Sequence, residues 1–287
     1  MKISLDSNII GALRCPHCKG ELALVQNGCA SLVCNGAKKH CFDLSSSGYV
    51  NFASPSQSGG GDSPEAVKAR EEFLWLGFYE PIREAIYQTA LEYGKGGLLV
   101  DAGCGEGYYS QRMSESFYVF GADISKSAVN TAAKRAKREG ADKAFYAVAS
   151  VFELPVRDGA ASIVTNIFAP CAEAEYNRIL ADDGVLIAVY AGEEHLIGLK
   201  AAMYDSVRKN QERADLPAQM ELIEQRRVCF DIKLESAQDI KRLFAMTPYY
   251  WRTSSADAQR LYALDSLQTK VDVVIAVYKK LDGKESL

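Results

Sequence analysis

No apolar run in the chain is long enough to cross a bilayer. Nowhere do about 18 uninterrupted apolar residues occur, and Met1 to Asp6 carry no basic stretch followed by an apolar core. A soluble, cytoplasmic protein that contacts no membrane is therefore expected. Positive charge is not in excess either. The formal net charge of -4 argues against a protein that coats nucleic acid indiscriminately, because contact with phosphate needs a basic surface. Local contact stays open, since basic residues cluster at Lys38-Lys39, at Lys134-Arg135 with Lys137-Arg138, and at Arg226-Arg227, although each cluster reads equally well as a solvated face. There is no internal repeat, and no low-complexity tract beyond one glycine-rich stretch.

What the chain does have is 287 residues with 48% apolar composition, enough for one substantial core with a smaller module beside it. Eight cysteines are present. Five of them, Cys15, Cys18, Cys29, Cys34 and Cys41, fall near the start, a density that in a chain without export signals indicates metal binding rather than a disulfide framework. This cysteine-rich part is too short for a self-sufficient core, so a structural metal would explain how it folds. Residues 53–64, with Gly59-Gly60-Gly61, are polar and glycine-rich like a flexible linker. The expected organisation is a metal-binding module over 1–52, the linker over 53–64, and a larger domain over 65–287.

In the larger domain, helical spacing from Glu65 to about Tyr93 is interrupted near Gly77 and Pro81. Beyond Gly94, short apolar runs alternate with amphipathic ones, which predicts a parallel sheet covered by helices. Seven strands are expected, at Leu98–Asp101, Tyr118–Asp123, Phe145–Ala149, Ser162–Ile167, Val185–Tyr190, Val228–Leu234 and Val271–Tyr278. The intervening helices are expected at Tyr108–Glu115, Lys126–Arg138, Ala172–Leu180, His195–Arg213 and Ala237–Ala245.

Directly after the first strand stands Asp101-Ala102-Gly103-Cys104-Gly105-Glu106-Gly107, then a helix-like segment. Glycines there let a ligand approach the backbone, and the helix start supplies free N–H groups. Asp123, 22 residues past Asp101 at the end of the second strand, can accept both hydroxyls of a ribose. The G-x-G-x-G spacing differs from the dinucleotide fingerprint, which disfavours a nicotinamide enzyme. The leading Asp101 would repel a phosphate but suits an ammonium or sulfonium group, so S-adenosylmethionine fits best. An adenine could stack beside the apolar residues of Ala149 to Pro155.

In the cysteine-rich part, Cys15-Pro16-His17-Cys18 is a knuckle with two converging thiolates, and Cys34 and His40 follow after a gap of 15 residues. Two such pairs make the closed tetrahedral site that structural zinc prefers. Spacing alone leaves the fourth ligand open, because Cys41 adjoins His40 and Cys29 lies inside the gap.

These segments resemble a known family, the RlmA-type 23S rRNA (guanine-N1)-methyltransferases. The resemblance runs through Cys15-Pro16-x-Cys18, His40-x-Phe42-Asp43, Gly48-Tyr49-Val50-Asn51, Gly77-x-Tyr79-x-Pro81, Asp101 to Tyr109, Ala169-Pro170-Cys171, His195-Leu196 with Leu199-Lys200, and Met246-Thr247-Pro248 with Trp251-Arg252. It implies a Rossmann-like class I methyltransferase of α/β class behind a zinc-binding module, acting on N1 of one guanine in a domain II hairpin of 23S rRNA, as a homodimer. It places zinc on Cys15, Cys18, Cys34 and His40, and the methyl donor against Tyr79, Gly105, Glu106 and His195, alongside the Asp101, Gly103 and Asp123 read above. One departure is the interval between Cys34 and His40, which is longer than in some members and brings Cys41 close.

An extruded guanine needs flat partners, and Tyr249, Tyr250 and Trp251 precede Arg252 in a segment expected near the carboxyl ends of the strands; Arg252 could contact phosphate. Trp251 reads equally as a core aromatic sealing a helix, in which case Phe168 and Pro170 become the candidates for guanine contact. Two other functions stay in view. A small-molecule methyltransferase would leave the zinc module without a purpose, and a non-catalytic zinc RNA-binding protein would not need the glycine turn and its ribose carboxylate.

Overall fold

Three consecutive apolar residues decide the architecture. Leu98, Leu99 and Val100 are all buried, but Leu98 and Val100 face one core cluster and Leu99 faces another. A strand buried on both faces must be covered on both sides. The computed structural model describes residues 5–54, 61–210 and 217–281, and in it the covering comes from two different parts of the chain.

The N-terminal part consists of α1 (Ser7–Ala12), an antiparallel sheet of β1 (Leu22–Asn27), β2 (Cys29–Cys34) and β3 (Cys41–Asp43), and a two-residue strand β4 (Val50–Asn51). Helices α2 (Pro64–Leu74) and α3 (Glu80–Tyr93) follow, then β5 (Leu98–Ala102), α4 (Tyr108–Met113), β6 (Tyr118–Asp123), α5 (Lys126–Glu139), β7 (Ala144–Val148), β8 (Ala161–Ile167), α6 (Glu173–Ile179), β9 (Leu180–Ala191), α7 (Ile197–Met203), β10 (Met220–Leu234), α8 (Ala237–Ala245), α9 (Ser255–Tyr262) and β11 (Leu267–Lys280). The main sheet runs β10-β11-β9-β8-β5-β6-β7-β4. β11 is antiparallel to both neighbours, and the pairings from β9 across to β4 are parallel. Strand order reverses at β5, between β6 and β8, and opens a crevice at their carboxyl ends.

Seven of these eight strands answer to the seven expected. The eighth, β4, comes from the cysteine-rich part and pairs Val50 with Ala147 and Asn51 with Val148. Two residues are too few to show a periodicity, so no pattern announced it. The expected interruption near Gly77 is present: α2 ends at Leu74, and Gly77 turns the chain at φ 90° before α3 begins. The helix expected from His195 to Arg213 is only Ile197–Met203. Past it the chain turns so that Asn210 bonds back to Gly192 and Glu193, which a continuous helix would prevent; residues 211–213 lie outside the described residues.

One face of the sheet is covered by α2, α3, α7, α8 and α9. The other is covered by α6 and by the N-terminal part, where Ile9, Leu13, Cys15 and Leu32 share a cluster with Leu98, Val100, Phe120 and Phe145. Backbone bonds add to this packing, from Arg14 N–H to the Pro155 carbonyl at 2.9 Å and from Arg157 N–H to the Ala12 carbonyl at 2.8 Å. Of the expected linker, residues 55–60 lie outside the described residues, while the Asp62 carbonyl accepts from Ser125 Oγ at 3.0 Å.

Because Leu13 is 0% exposed and packs against the sheet, Leu13→Ala should destabilise the whole chain. In urea, followed by tryptophan fluorescence, a loss of about 2–5 kcal/mol in a single transition is expected. A loss below about 1 kcal/mol would show that this packing carries little of the fold.

Candidate active site

Asp101 is the penultimate residue of β5 and almost wholly buried. Thr165 Oγ1 on β8 donates to it at 2.8 Å, and Ser110 Oγ on α4 donates to its other oxygen. Burial pushes its pKa up to about 6, against the pull of those two hydroxyls. Gly103 follows at φ 84°, where a Cβ would sit 2.5 Å from Ala169 Cβ, so only glycine fits between the first turn and the β8 loop. Asp123, at the end of β6, accepts from Gly105 N–H at 3.0 Å and from Ser125 N–H at 2.8 Å, and thereby shapes the glycine turn.

Glu106 is 2% exposed, and among the described residues its Oε2 has no hydrogen-bond partner. Burial raises its pKa to about 7, partly offset by the Arg70 guanidinium. Arg70 reaches over the turn from α2 and pairs with Asp62 at 2.5 Å. A buried, orphaned carboxyl oxygen with the Asp123 carboxylate near it is a poor cradle for phosphate and a good one for a cationic ligand. The residues present therefore fit S-adenosylmethionine, which carries an ammonium and a sulfonium.

A second group gathers at the ends of β8 and β9. His195 Nδ1 accepts from the Asp272 backbone N–H at 3.2 Å, so the proton sits on Nε2, which lies 3.4 Å from the Tyr79 hydroxyl. Phe168 stacks on the imidazole at 5.8 Å with 28° between planes, and holds an uncommon left-handed backbone at φ 52°. Burial lowers the His195 pKa to about 4. Tyr249 lies close enough to disfavour ionisation of Tyr79, which burial already resists. The Tyr249 hydroxyl donates to Asn210 Oδ1 at 3.3 Å, and the buried Lys200 ammonium stands over its ring.

The other expected substrate residues stand apart from this group. The Pro170 carbonyl accepts from Asn166 Nδ2 at 2.9 Å and from the Tyr176 hydroxyl at 3.1 Å, bracing the loop after β8. Tyr250 packs on Phe244, whereas Trp251 is 68% exposed on a 3-10 turn with Arg252 beside it. Trp251 does not seal the helix. Near Ala149, Phe152 is exposed in the loop after β7.

In the N-terminal part, the ligand atoms of Cys15, Cys18, Cys34 and His40 all lie within 4.8 Å of one another. Cys18 Sγ is 3.6 Å from Cys34 Sγ, and His40 Nδ1 is 3.5 Å from the sulfurs of both Cys15 and Cys34. Tetrahedral zinc with bonds of about 2.3 Å holds sulfurs about 3.7 Å apart, so this donor set fits the ion. Cys41 turns its thiol toward Asp43, and Cys29 lies exposed at the opposite end of β2. His17 stacks on Phe42 at 5.6 Å instead of joining the cluster.

With this geometry in place, similarity to known proteins becomes informative. A profile described as a methyltransferase domain matches residues 99–183. A 23S rRNA (guanine(748)-N(1))-methyltransferase of Streptomyces fradiae is 32% identical over 270 residues, covering 90% of this chain and 92% of the relative. The chain belongs to the 23S rRNA (guanine-N1)-methyltransferase family. YxjB of Bacillus subtilis (strain 168), provisionally named for the same activity, is 30% identical and covers 98% of this chain and 100% of its own length. Among solved structures, the YcgJ protein from Bacillus subtilis aligns with a TM-score of 0.50 at 17% identity, over 70% of this chain and 98% of that one, a likeness of fold alone.

This methyltransferase is thus a class I, S-adenosylmethionine-dependent enzyme, and its crevice contains groups that the sequence reading passed over. Thr165, Ser110 and Arg70 sit on elements whose patterns only announced packing. Asp272 did leave a signal, as the single charge within the apolar run Val271–Tyr278. The basic clusters are largely spent within the methyltransferase itself: Arg135 pairs with Glu71, Arg226 with Glu224, and Arg227 with Asp272.

The His195 geometry has a direct spectroscopic consequence. With its pKa near 4, the imidazole should remain neutral, with the proton on Nε2, as pH falls from 8 to about 5. A pKa depressed below its unfolded value also means that His195 weakens the fold as pH drops through 6.5 toward 4. Histidine-selective 15N spectra follow this directly, and a midpoint near 6.5 would contradict the burial argument.

Proposed function

We propose that this enzyme transfers the methyl group of S-adenosylmethionine to N1 of one guanine in a domain II hairpin of 23S rRNA. The observation that carries the reading is the Streptomyces fradiae relative, which is named for N1 methylation of a 23S rRNA guanine and aligns with this chain over 92% of its own length. The bound cofactor supplies an electrophilic methyl on sulfur. The chain contributes alignment and a pocket with little water. On this reading Asp101, Gly103, Gly105, Glu106 and Asp123 hold the cofactor at the turn, with Tyr79 and His195 at its methyl end.

The target guanine must leave its base pair to expose N1. Phe168 and Tyr249, both near the Tyr79–His195 pair, are the proposed contacts for its faces, and Pro170 sets the loop that carries Phe168. Tyr250, Trp251 and Arg252 would meet the flanking RNA, where an exposed indole and a guanidinium suit stacking and phosphate contact. The module over 1–52 would hold the hairpin, with structural zinc on Cys15, Cys18, Cys34 and His40, beside a transferase domain over 65–287 joined by the linker at 53–64. A cytoplasmic homodimer completes the proposal. Among the described residues no helix is long and apolar enough to cross a membrane.

Primer extension on 23S rRNA tests the substrate, because a methyl on N1 blocks pairing. A reverse-transcriptase stop at one guanine should vanish in a strain lacking the gene and return when it is restored. Methyl label from tritiated donor appearing in a metabolite extract and not in rRNA would make the enzyme a small-molecule methyltransferase. Elemental analysis should find close to one zinc per chain, lost in Cys18→Ser and retained in Cys41→Ser. Loss in Cys41→Ser with retention in His40→Ala would move the fourth ligand.

A further inference from the structure

His195 depends on a residue that lies outside the crevice. Asp272 sits near the start of β11, which runs antiparallel, so that part of the strand lies beside the carboxyl end of β9. It is 0% exposed, and all its polar groups are committed. Its backbone N–H donates to His195 Nδ1 at 3.2 Å, and its carbonyl accepts from Gly192 N–H at 2.8 Å. Its Oδ2 accepts from Glu194 N–H at 2.9 Å. Arg227, from the edge strand β10, closes the set bidentately, with Nε to Oδ1 at 2.7 Å and Nη2 to Oδ2 at 2.8 Å. One aspartate thus fixes residues 192, 194 and 195 of a single turn.

Two further facts show that the arrangement is specific. Gly192 faces the Asp272 carboxylate so closely that a Cβ would lie 2.5 Å from its Cγ, so the turn is built around this side chain. A carboxylate this deeply buried is costly without a partner, and the half-exposed Arg227 guanidinium is the only cation bonded to it among the described residues. Ordinary strand packing at this position would be met by valine, as at Val271, Val273 and Val274 on either side.

We propose that Arg227 and Asp272 form a positioning pair that holds the His195 imidazole in one tautomer and one orientation toward Tyr79 and Phe168, so that methyl transfer depends on an ion pair outside the cofactor crevice. The proposal rests on the reading of His195 as part of the active site. Asp272 reaches the proposed site only through its backbone bond to His195, and Arg227 only through Asp272. Their effect runs through the 192–195 turn.

The test uses the full-length enzyme and its Arg227→Ala, Arg227→Lys, Asp272→Asn and His195→Ala variants. Three quantities are measured: thermal stability, single-turnover methyl transfer to a 23S rRNA fragment, and the His195 tautomer in 15N spectra. Only three histidines are present, so the His195 signals are identified by their loss in His195→Ala. In Arg227→Ala the single Nε2–H tautomer should become a mixture, and transfer should slow roughly 10- to 100-fold, as misplacement of a site group does. Arg227→Lys, which keeps the charge but not the fork, should recover part of the rate. Asp272→Asn should act like Arg227→Ala or more strongly; if it does not fold, the surface variant Arg227→Ala still decides. An unchanged tautomer in folded Arg227→Ala overturns the proposal, whether its rate stays within twofold of the parent or falls only in step with stability. If His195→Ala itself transfers methyl at the parent rate, the underlying reading of His195 is what fails.

Discussion

The hydrogen bond from Thr165 to Asp101 joins β5 to β8 across the place where strand order reverses, and the crevice exists because of that junction. Parallel neighbours of β5 on either side send their connecting helices to opposite faces, which leaves a gap above the carboxyl ends of the strands. A carboxylate buried there must be satisfied from the strand next door and from the helix that follows the turn, and Thr165 and Ser110 do both. Once Asp101 is fixed, Gly103 can approach Ala169 without a side chain between them, and the loop carrying Phe168 and Pro170 is held against the glycine turn.

The two halves of the crevice are electrically different. Around the glycine turn, Asp101, Glu106 and Asp123 outnumber the one guanidinium of Arg70, and burial raises the pKa of all three carboxyl groups. At the ends of β8 and β9 the lining is mainly aromatic, with an imidazole that burial keeps uncharged and the Lys200 ammonium set over the Tyr249 ring. A cation is welcome in the first half. A flat, uncharged ring with a weakly acidic proton suits the second. That division matches a reaction in which positive charge is lost from sulfur as a base on the opposite side is alkylated.

Much of this was legible in the residues. The seven long strands follow from apolar runs with turn residues between them, and the turn that joins Asp101, the glycines and Asp123 is announced by order and spacing alone. Knuckle spacing anticipated the cluster that the structure brings together, but spacing could not choose between His40 and Cys41, since adjacent residues differ only in the direction their side chains take. The two-residue β4 and the shortened α7 were hidden for a different reason. Each depends on partners far along the chain, Ala147 and Val148 for one and the reach of Asn210 to Gly192 for the other. Arg70 and Thr165 could not be singled out, because nothing in their own helix or strand marks them. Asp272 was marked by its charge in an apolar run, but its link to His195 needed the strand pairing.

The N-terminal packing separates two timescales of assembly. Cys15, Cys18, Cys34 and His40 meet through contacts made within a short stretch, so this cysteine–histidine cluster depends on residues close together in the chain. Its apolar underside does not. Leu13 bridges to Val156, and Ile9 shares its cluster with Phe120 and Phe145, residues synthesised long afterwards. Until those later residues are in place, the apolar underside of the knuckle has no surface to pack against. Nascent chains that stall before then would present that underside to chaperones, at the very particle whose RNA the family modifies.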